Sequence, residues 1–455
     1  MEGVGRRDDR SRITRRGWLV GAGALLTSGA FGAAACAVGT SQGGAADASL
    51  VNVKPGTTIR LHVRAGNEVD TLEERLPLFK QAQGVEVAIE SFPQNEYDEK
   101  IRVLLAGGSI GDVLWGIMAR GQGWLWAHTG AVRFVDDLVK ADKFDLSPYY
   151  PVAVDSVRFE GKLFGLPYKL QPGPAGIYYN VDAFTRAGLT PPQMDTSYEQ
   201  LTELASRVAS PGAMWGFYAV GANPGYPWAV NMVRAWEGDL ISDDGKKSQL
   251  ATPAALGALQ WYLNLMYRHQ AAPPAAQAPA PDFEKGQTAM LQSGSAQKSI
   301  PLRVRDAFAV GIAPMPKGPG GRRGTMATAD FKAVTGQTKS AAAAWALTKF
   351  LCDKETGIRL GEGGATGASG TCGARKDVFH SERLLANPLH KAWIQAVEES
   401  LPLKVPWNFL GEEHNRALNE GLAPLMRNEV ALSQATLAEV DRTVQAVLDK
   451  PRSSP

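Results

Sequence analysis

The sequence is poor in the residues that build metal centres and disulfide frameworks. Its 455 residues include three cysteines and six histidines, and the histidines are too scattered to show the spacing of a metal site. We therefore predict no metal and no cofactor. The chain also lacks an excess of charge of either sign, because 48 basic and 46 acidic side chains leave a net charge of +2. Without a basic field, nucleic acid is not an expected partner.

The length predicts more than one domain. A chain of 455 residues exceeds the usual size of a single hydrophobic core, so we expect two. Hydrophobic residues make up 44% of the chain and charged residues 21%, which is typical of a globular protein. No internal repeat indicates a solenoid.

The first 36 residues carry the features of an export signal. The segment around Arg15 and Arg16 resembles a twin-arginine signal, and an apolar run rich in Gly and Ala follows it. The sequence Ala-Ala-Ala-Cys ending at Cys36 resembles a lipobox and predicts lipidation there. The alternative is a permanent membrane anchor, which the weakly hydrophobic run does not favour. We expect residues 37–56 to form a flexible linker.

These features predict an extracytoplasmic protein held to the membrane by lipid, or a periplasmic one. Residues 1–35 contain six arginines and three acids, so the remainder has 42 basic and 43 acidic side chains and a net charge of −1. If Cys36 carries lipid, Cys352 and Cys372 remain, and an oxidising exterior permits a disulfide between them. The alternative is two unrelated buried thiols.

The first part of the mature chain alternates between strand and helix patterns. Strands are predicted at Thr57–Arg64, Val85–Ile89 and Asp112–Ile117, with helices at Glu68–Gln83 and Asn95–Ala106. This order favours a mostly parallel sheet covered by helices. Ligands bind such sheets at the carboxyl ends of the strands.

Four segments in order resemble family 1 solute-binding proteins of ABC importers, the group that includes maltose-binding proteins. They are a Pro-rich crossover at Gly165–Pro192, an FxxGxxAM segment at Phe283–Met290, a PxPKGP turn at Pro314–Pro319 and the helix at Trp345–Leu351. The resemblance implies an α/β fold of the type II periplasmic binding proteins, with two α/β lobes joined by a hinge of crossover strands.

The resemblance also implies lobe boundaries. We expect a first lobe of residues 57–168 and 331–371 and a second lobe of residues 172–328 and 373–450, with the third crossing at Thr371–Gly373. The implied function is that of a monomeric, non-enzymatic receptor. It would bind a small solute, with a sugar or sugar derivative expected, by hinge closure and pass it to the transmembrane subunits of an ABC permease.

The candidate ligand-binding residues lie at strand ends, on the crossings and in aromatic stretches of the second lobe. They are Arg64, Asn67 and Glu68 after the first strand, Trp115 and Arg120 near the end of the third, Tyr168 and Asp330 on the crossings, and Tyr226, Trp228, Trp236 and Trp407. A flat indole could stack on a sugar, although each Trp could equally pack in a core. Ala296 stands where sugar-binding relatives often have an aromatic residue, which leaves the ligand class open.

Two other classes of function remain as alternatives. A secreted carbohydrate hydrolase would need a pair of inward carboxylates, and no readable spacing supplies one. Gly107–Gly111 matches a nucleophile elbow, but the helix before it and the strand after it are in the reverse order. A ligand sensor that signals to a membrane partner would have the same sequence features as a transport receptor.

Overall fold

The computed structural model describes residues 48–118, 121–219, 228–275, 279–294, 300–363 and 371–452. Its strands are β1 Thr58–Arg64, β2 Glu86–Phe92, β3 Val113–Ile117, β4 Arg158–Phe159, β5 Lys162–Leu163, β6 Leu166–Pro172, β7 Gly176–Asn180, β8 Tyr218–Ala219, β9 Met290–Ser293, β10 Val310–Ala313, β11 Met326–Val334 and β12 Leu401–Pro402.

The helices cover both sheets. They are α1 Asn67–Gln83, α2 Tyr97–Ala106, α3 Gln122–Thr129, α4 Asp136–Ala141, α5 Pro151–Ser156, α6 Val181–Arg186, α7 Tyr198–Val208, α8 Trp228–Ala235, α9 Pro253–Leu263, α10 Ile300–Val304, α11 Ala341–Leu351, α12 Lys354–Glu362, α13 Lys376–Phe379, α14 Glu382–Leu385, α15 His390–Glu398, α16 Gly411–Met426 and α17 Gln434–Leu448. A 3-10 helix precedes β1 at Ala48–Val51, and a π-helix at Asn264–Arg268 extends α9.

The first sheet has the predicted parallel arrangement at one side. Strand β1 pairs in parallel with β2 and β3. Strand β11 then pairs antiparallel with β3 and with β6, and in parallel with β12. The apolar residues that alternate along β1 are fully buried, because one face of the strand packs against helices.

The second sheet is smaller and mostly antiparallel. Its order is β10-β7-β9-β8, in which only the β8–β9 pair is parallel. The FxxGxxAM segment at Phe283–Met290 begins as a turn, and its last residue, Met290, is the first residue of β9. Met290 pairs antiparallel with Tyr179 of β7, and this pairing satisfies backbone hydrogen-bonding groups in the sheet.

Two hydrophobic cores correspond to the two sheets. The first core includes Ile59, Val113 and Phe331, and the second includes Phe184 and Leu259. The chain first passes between them from β6 to β7. It passes back within β11, where Met326 packs in the second core and Ala327 in the first.

The predicted third crossing needs correction. Gly373 does pair with Lys169 of β6, but the chain then stays with the first core through α13, α14 and α15. Phe379 places its ring edge-on to Tyr150 at 5.2 Å between centroids, and Val397 also packs in that core. Residues 373–398 therefore do not belong to the second core as expected. Their apolar side chains, including Val378, Phe379 and Val397, are removed from water in the first core.

Candidate functional site

Four of the predicted ligand-binding residues meet at one edge of the first sheet. Arg64 ends β1 and Glu68 lies in the first turn of α1, while Trp115 lies in β3 and Asp330 in β11. Gly66 makes the turn between β1 and α1 with φ of 134°, a conformation that favours glycine. Because β1 and β3 are parallel, residues near their carboxyl ends come together.

Lys169 of β6, which was not predicted, joins the two carboxylates. Its ammonium group contacts the carboxylate of Glu68 and lies 2.9 Å from Oδ2 of Asp330. Nη2 of Arg64 lies 3.3 Å from Oε1 of Glu68 and 3.9 Å from Oδ2 of Asp330. We call Arg64, Glu68, Lys169 and Asp330 the charged cluster. Its two cations and two anions cancel in formal charge.

The electrostatics favour the charged forms of Glu68 and Lys169. Burial by itself raises the pKa of Glu68, but the positive charges of Lys169 and Lys332 outweigh burial, and the pKa lies below its ordinary value. Burial likewise disfavours the charged form of Lys169, yet Asp330 and Glu68 raise its pKa above the ordinary value. Removing one member would therefore leave a buried charge without compensation.

Trp115 is enclosed by the charged cluster and its neighbours. The guanidinium carbon of Arg64 lies 3.9 Å from the indole centroid, and Tyr97 approaches edge-on at 5.1 Å. The indole Nε1 donates to Oδ2 of Asp330 at 3.1 Å. Gln171 donates from Nε2 to Oδ1 of the same carboxylate at 3.0 Å. Trp115 thus supports the cluster, and its ring does not present a free face for stacking.

A second lysine lies below the charged cluster. Lys332 of β11 is fully buried, and its ammonium nitrogen lies 4.2 Å from the ring centroid of Tyr168. Among the described residues no hydrogen-bond partner reaches this nitrogen or the hydroxyl of Tyr168. Burial lowers the pKa of Lys332 to about 8, against the opposing attraction of Glu68. Tyr168, predicted to bind ligand from the crossing, is therefore an interior residue.

The predicted tryptophans beyond Trp115 do not join this cluster. Trp228 is buried in the second core with its ring 4.7 Å from that of Tyr262. Trp236 packs 4.8 Å from the ring of Tyr198. Trp407 donates from Nε1 to the carbonyl oxygen of Leu448 at 2.8 Å, at the end of α17. The described residues thus do not bring these indoles into one stacking surface, and their part in binding stays a prediction.

Several predicted positions lie outside what the structure describes. Arg120, Tyr226 and Cys36 fall outside the described residues, as does Ala296. Asn67 is described only as the first residue of α1. Their roles therefore stay predictions.

Sequence reasoning missed the two buried lysines, although a signal was present. Asp330 and Lys332 alternate with Phe331 and Ala333 along β11, so both polar side chains lie on one face of the strand. A predicted strand with two opposite charges on one face indicates an internal ion pair or a functional site. Lys169 alone on β6 gave no such pattern.

The predicted disulfide between Cys352 and Cys372 is not present in the structure. Both residues are buried, unbridged thiols. Sγ of Cys352 lies 3.8 Å from the carbonyl oxygen of Leu166 in β6. Burial raises the pKa of the Cys352 thiol, which keeps it protonated and unreactive. This arrangement corresponds to the alternative of two separate buried thiols.

A surface groove of about 1350 Å³ lies apart from the charged cluster. Several of its charged side chains are paired with each other. Asp239 accepts from Arg234 at 3.1 Å and from Lys404 at 3.0 Å, and Arg323 lies 2.9 Å from Glu399. No residue of the charged cluster lines it. The groove and the cluster are therefore separate features.

Two α/β cores connected by crossing strands, with polar residues gathered at the carboxyl ends of parallel strands, define a type II binding-protein fold. The family model described as bacterial extracellular solute-binding protein matches residues 77–392, and the chain belongs to this family. Within the described ranges, no helix is both long and apolar enough to cross a membrane.

Solved structures of sugar-binding receptors share this fold. The sugar-binding protein MalE of Xanthomonas citri has a TM-score of 0.74 at 19% identity, covering 86% of this chain and 97% of that one. An ABC substrate-binding protein of Listeria monocytogenes, solved with cycloalternan, has a TM-score of 0.72 at 17% identity, with coverages of 86% and 99%. The GacH receptor of Streptomyces glaucescens, described unliganded and with acarbose, has a TM-score of 0.71 at 20% identity, with coverages of 88% and 100%.

The curated relatives match a smaller part of this chain than the solved structures do. A binding protein of Brucella abortus (strain 2308) is 26% identical over 205 residues, which is 43% of this chain and 48% of that protein. The chain therefore spans about half the length of the curated relatives it matches.

Proposed function

We propose that this protein is the extracytoplasmic receptor of an ABC importer and binds one sugar or sugar derivative between its two cores. The ligand contacts Arg64 and Glu68 at the edge of the first sheet. The two cores close over it about the crossing strands, because a ligand that contacts both cores binds the closed form more tightly. The receptor then delivers the ligand to the transmembrane subunits of a permease without chemical change.

The observation that supports this proposal most strongly is the charged cluster. It supplies hydrogen-bond donors and acceptors at the strand ends, where open α/β sheets bind ligands. Arg64 offers planar donors to hydroxyl oxygens, and Glu68 offers acceptors to hydroxyl hydrogens. Their charges are compensated by Lys169 and Asp330, so an uncharged polyhydroxyl ligand suits the site better than a strong anion.

The names of the structural relatives point to the same ligand class. The Listeria protein was solved with cycloalternan and the Streptomyces receptor with acarbose. Both are saccharides or close analogues, so they are rational probes for this chain.

Export and anchoring complete the proposal. The family is extracellular by its description, and the Arg15-Arg16 pair precedes an apolar run and Cys36. We propose twin-arginine export and a lipid on Cys36, which would hold the receptor beside its permease.

A thermal-shift screen tests the ligand class. The exported protein would be melted with maltose, cycloalternan, acarbose, sorbitol and glucose 6-phosphate. A bound saccharide at 100 times its Kd stabilises the fold by about 2.7 kcal/mol. Arg64→Ala should lose this shift. The matched control is Lys349→Met, which removes the ion pair of Lys349 with Asp142 elsewhere in the first core, and it should keep the shift. A shift with glucose 6-phosphate alone would contradict the proposal.

A further inference from the structure

Lys169 connects the groups of the charged cluster. Its ammonium contacts the carboxylates of Glu68 and Asp330, which come from α1 and β11, while Lys169 itself belongs to β6. Asp330 in turn accepts hydrogen bonds from Trp115 and Gln171. One buried ammonium thus links two strands of the first sheet, β6 and β11, with the covering helix α1.

Exposure separates the groups that a ligand can touch from those beneath them. The side chain of Arg64 is 20% exposed and that of Glu68 is 11% exposed. The side chain of Lys169 is 4% exposed and that of Asp330 is fully buried. Lys169 therefore lies under Glu68 and is shielded from solvent by it.

The orientation of Glu68 depends on few partners. Within the charged cluster its carboxylate has Arg64 at 3.3 Å on the exposed side and the ammonium of Lys169 on the buried side. Arg64 also stacks on Trp115, so its position is set by the indole. An acceptor held on two sides loses little conformational entropy when a ligand hydroxyl binds it.

We propose that Lys169 is a positioning residue of the ligand site, which orients the carboxylate of Glu68 as a hydrogen-bond acceptor for ligand hydroxyls and ties it to the crossing strands β6 and β11. This inference rests on the proposed function. Lys169 does not touch the ligand and acts through Glu68. The strands it ties together are those that run between the two cores, so the acceptor is held on the same strands that join them.

A double-mutant cycle tests whether Lys169 acts through Glu68. Calorimetry would measure the affinity of the tightest-binding saccharide among maltose, cycloalternan and acarbose for the wild type, Lys169→Met, Glu68→Gln and the double variant. A ligand hydrogen bond to the charged carboxylate of Glu68 contributes substantially to the binding free energy. K169M removes the ammonium group that orients this carboxylate, so it should weaken binding about tenfold or more. In the E68Q background the same change should have less than about a twofold effect. An equal loss in both backgrounds would overturn the proposal.

A second measurement does not depend on the ligand, and its wild-type half does not require K169M to fold. Carboxyl carbons of ¹³C-labelled glutamate would be titrated by NMR, with the Glu68 signal assigned by its loss in E68Q. In the wild type Glu68 should titrate below its ordinary pKa of 4.5, since Lys169, Lys332 and Arg64 face it. A folded K169M should titrate higher. A wild-type pKa at or above 4.5, or an unchanged value in folded K169M, would overturn the proposal.

The two tests separate this inference from the proposed function. If no saccharide binds the wild type but the Glu68 titration moves as expected, the sugar-receptor function fails and the link from Lys169 to Glu68 stands. If a saccharide binds and neither the cycle nor the titration responds to K169M, the receptor function stands and Lys169 has only a structural role. The control K349M should leave both readouts unchanged.

Discussion

Replacing Lys332 with methionine should make the protein more stable at neutral pH. Lys332 is fully buried on β11, and no described residue accepts a hydrogen bond from its ammonium group. Burial lowers its pKa from 10.5 to about 8, and this value already includes the attraction of Glu68 and Asp330. Methionine has a similar length and no charge, so it would fill the same space without the cost of an ammonium group.

The size and pH dependence of the effect follow from the pKa shift. The unfolded chain holds the proton up to pH 10.5, whereas the folded protein releases it from about pH 8. The folded state therefore binds fewer protons in this window, and wild-type stability rises as the pH increases through it. A shift of two to three pKa units corresponds to about 3 kcal/mol. K332M should gain about this amount at pH 7 and lose the advantage as the pH approaches 10.5.

Urea unfolding at pH 7 and pH 10 measures this difference directly. K349M is the control, because Lys349 is partly exposed and paired with Asp142, so its removal should not stabilise the protein. If K332M is no more stable than wild type at pH 7, or if its effect is the same at both pH values, the ammonium has a partner that the described structure lacks.

Three further predictions test other parts of the structure. Trp228→Ala should destabilise the protein by about 3–5 kcal/mol in urea unfolding, because Trp228 is buried against Tyr262; a loss of saccharide affinity without loss of stability would restore its predicted role in ligand binding. Intact-mass analysis should show Cys352 and Cys372 alkylated without reductant once the protein is unfolded, whereas resistance until reductant is added would establish the disulfide. Cys36→Ser should move the exported protein from the membrane fraction to the soluble fraction, and Arg15→Lys with Arg16→Lys should block export; an unchanged membrane-bound form of Cys36→Ser would exclude the lipid anchor.

The regular alternation at the start of the mature chain made the first sheet predictable. The expected strand at Thr57–Arg64 and helix at Glu68–Gln83 differ from β1 and α1 by one residue each, because one face of each element is apolar at the right period. The convergence of Arg64, Glu68 and Trp115 followed from the parallel pairing of β1 and β3. The apolar periodicity of these elements was therefore sufficient to predict them from the sequence.

Features that depend on distant partners were not predictable. Whether residues 373–398 pack in the first or the second core depends on which surface their apolar residues meet, and both cores need such a cover. Lys169 is a buried charge whose compensation comes from Glu68 and Asp330, each more than a hundred residues away in the sequence. The sequence could not decide the role of the predicted tryptophans for a related reason, since an indole packs as well in a core as in a cleft.

The most direct test of the central claim is a calorimetric titration of the exported protein with the saccharide that shifts its melting temperature most. We predict one binding site per chain, with the affinity lowered about tenfold or more by Arg64→Ala or Glu68→Gln and unchanged by Lys349→Met. A saccharide that binds all three variants as tightly as the wild type would show that the ligand site is not at the charged cluster. Failure of every saccharide to bind the folded wild-type protein would contradict the assignment of a sugar receptor.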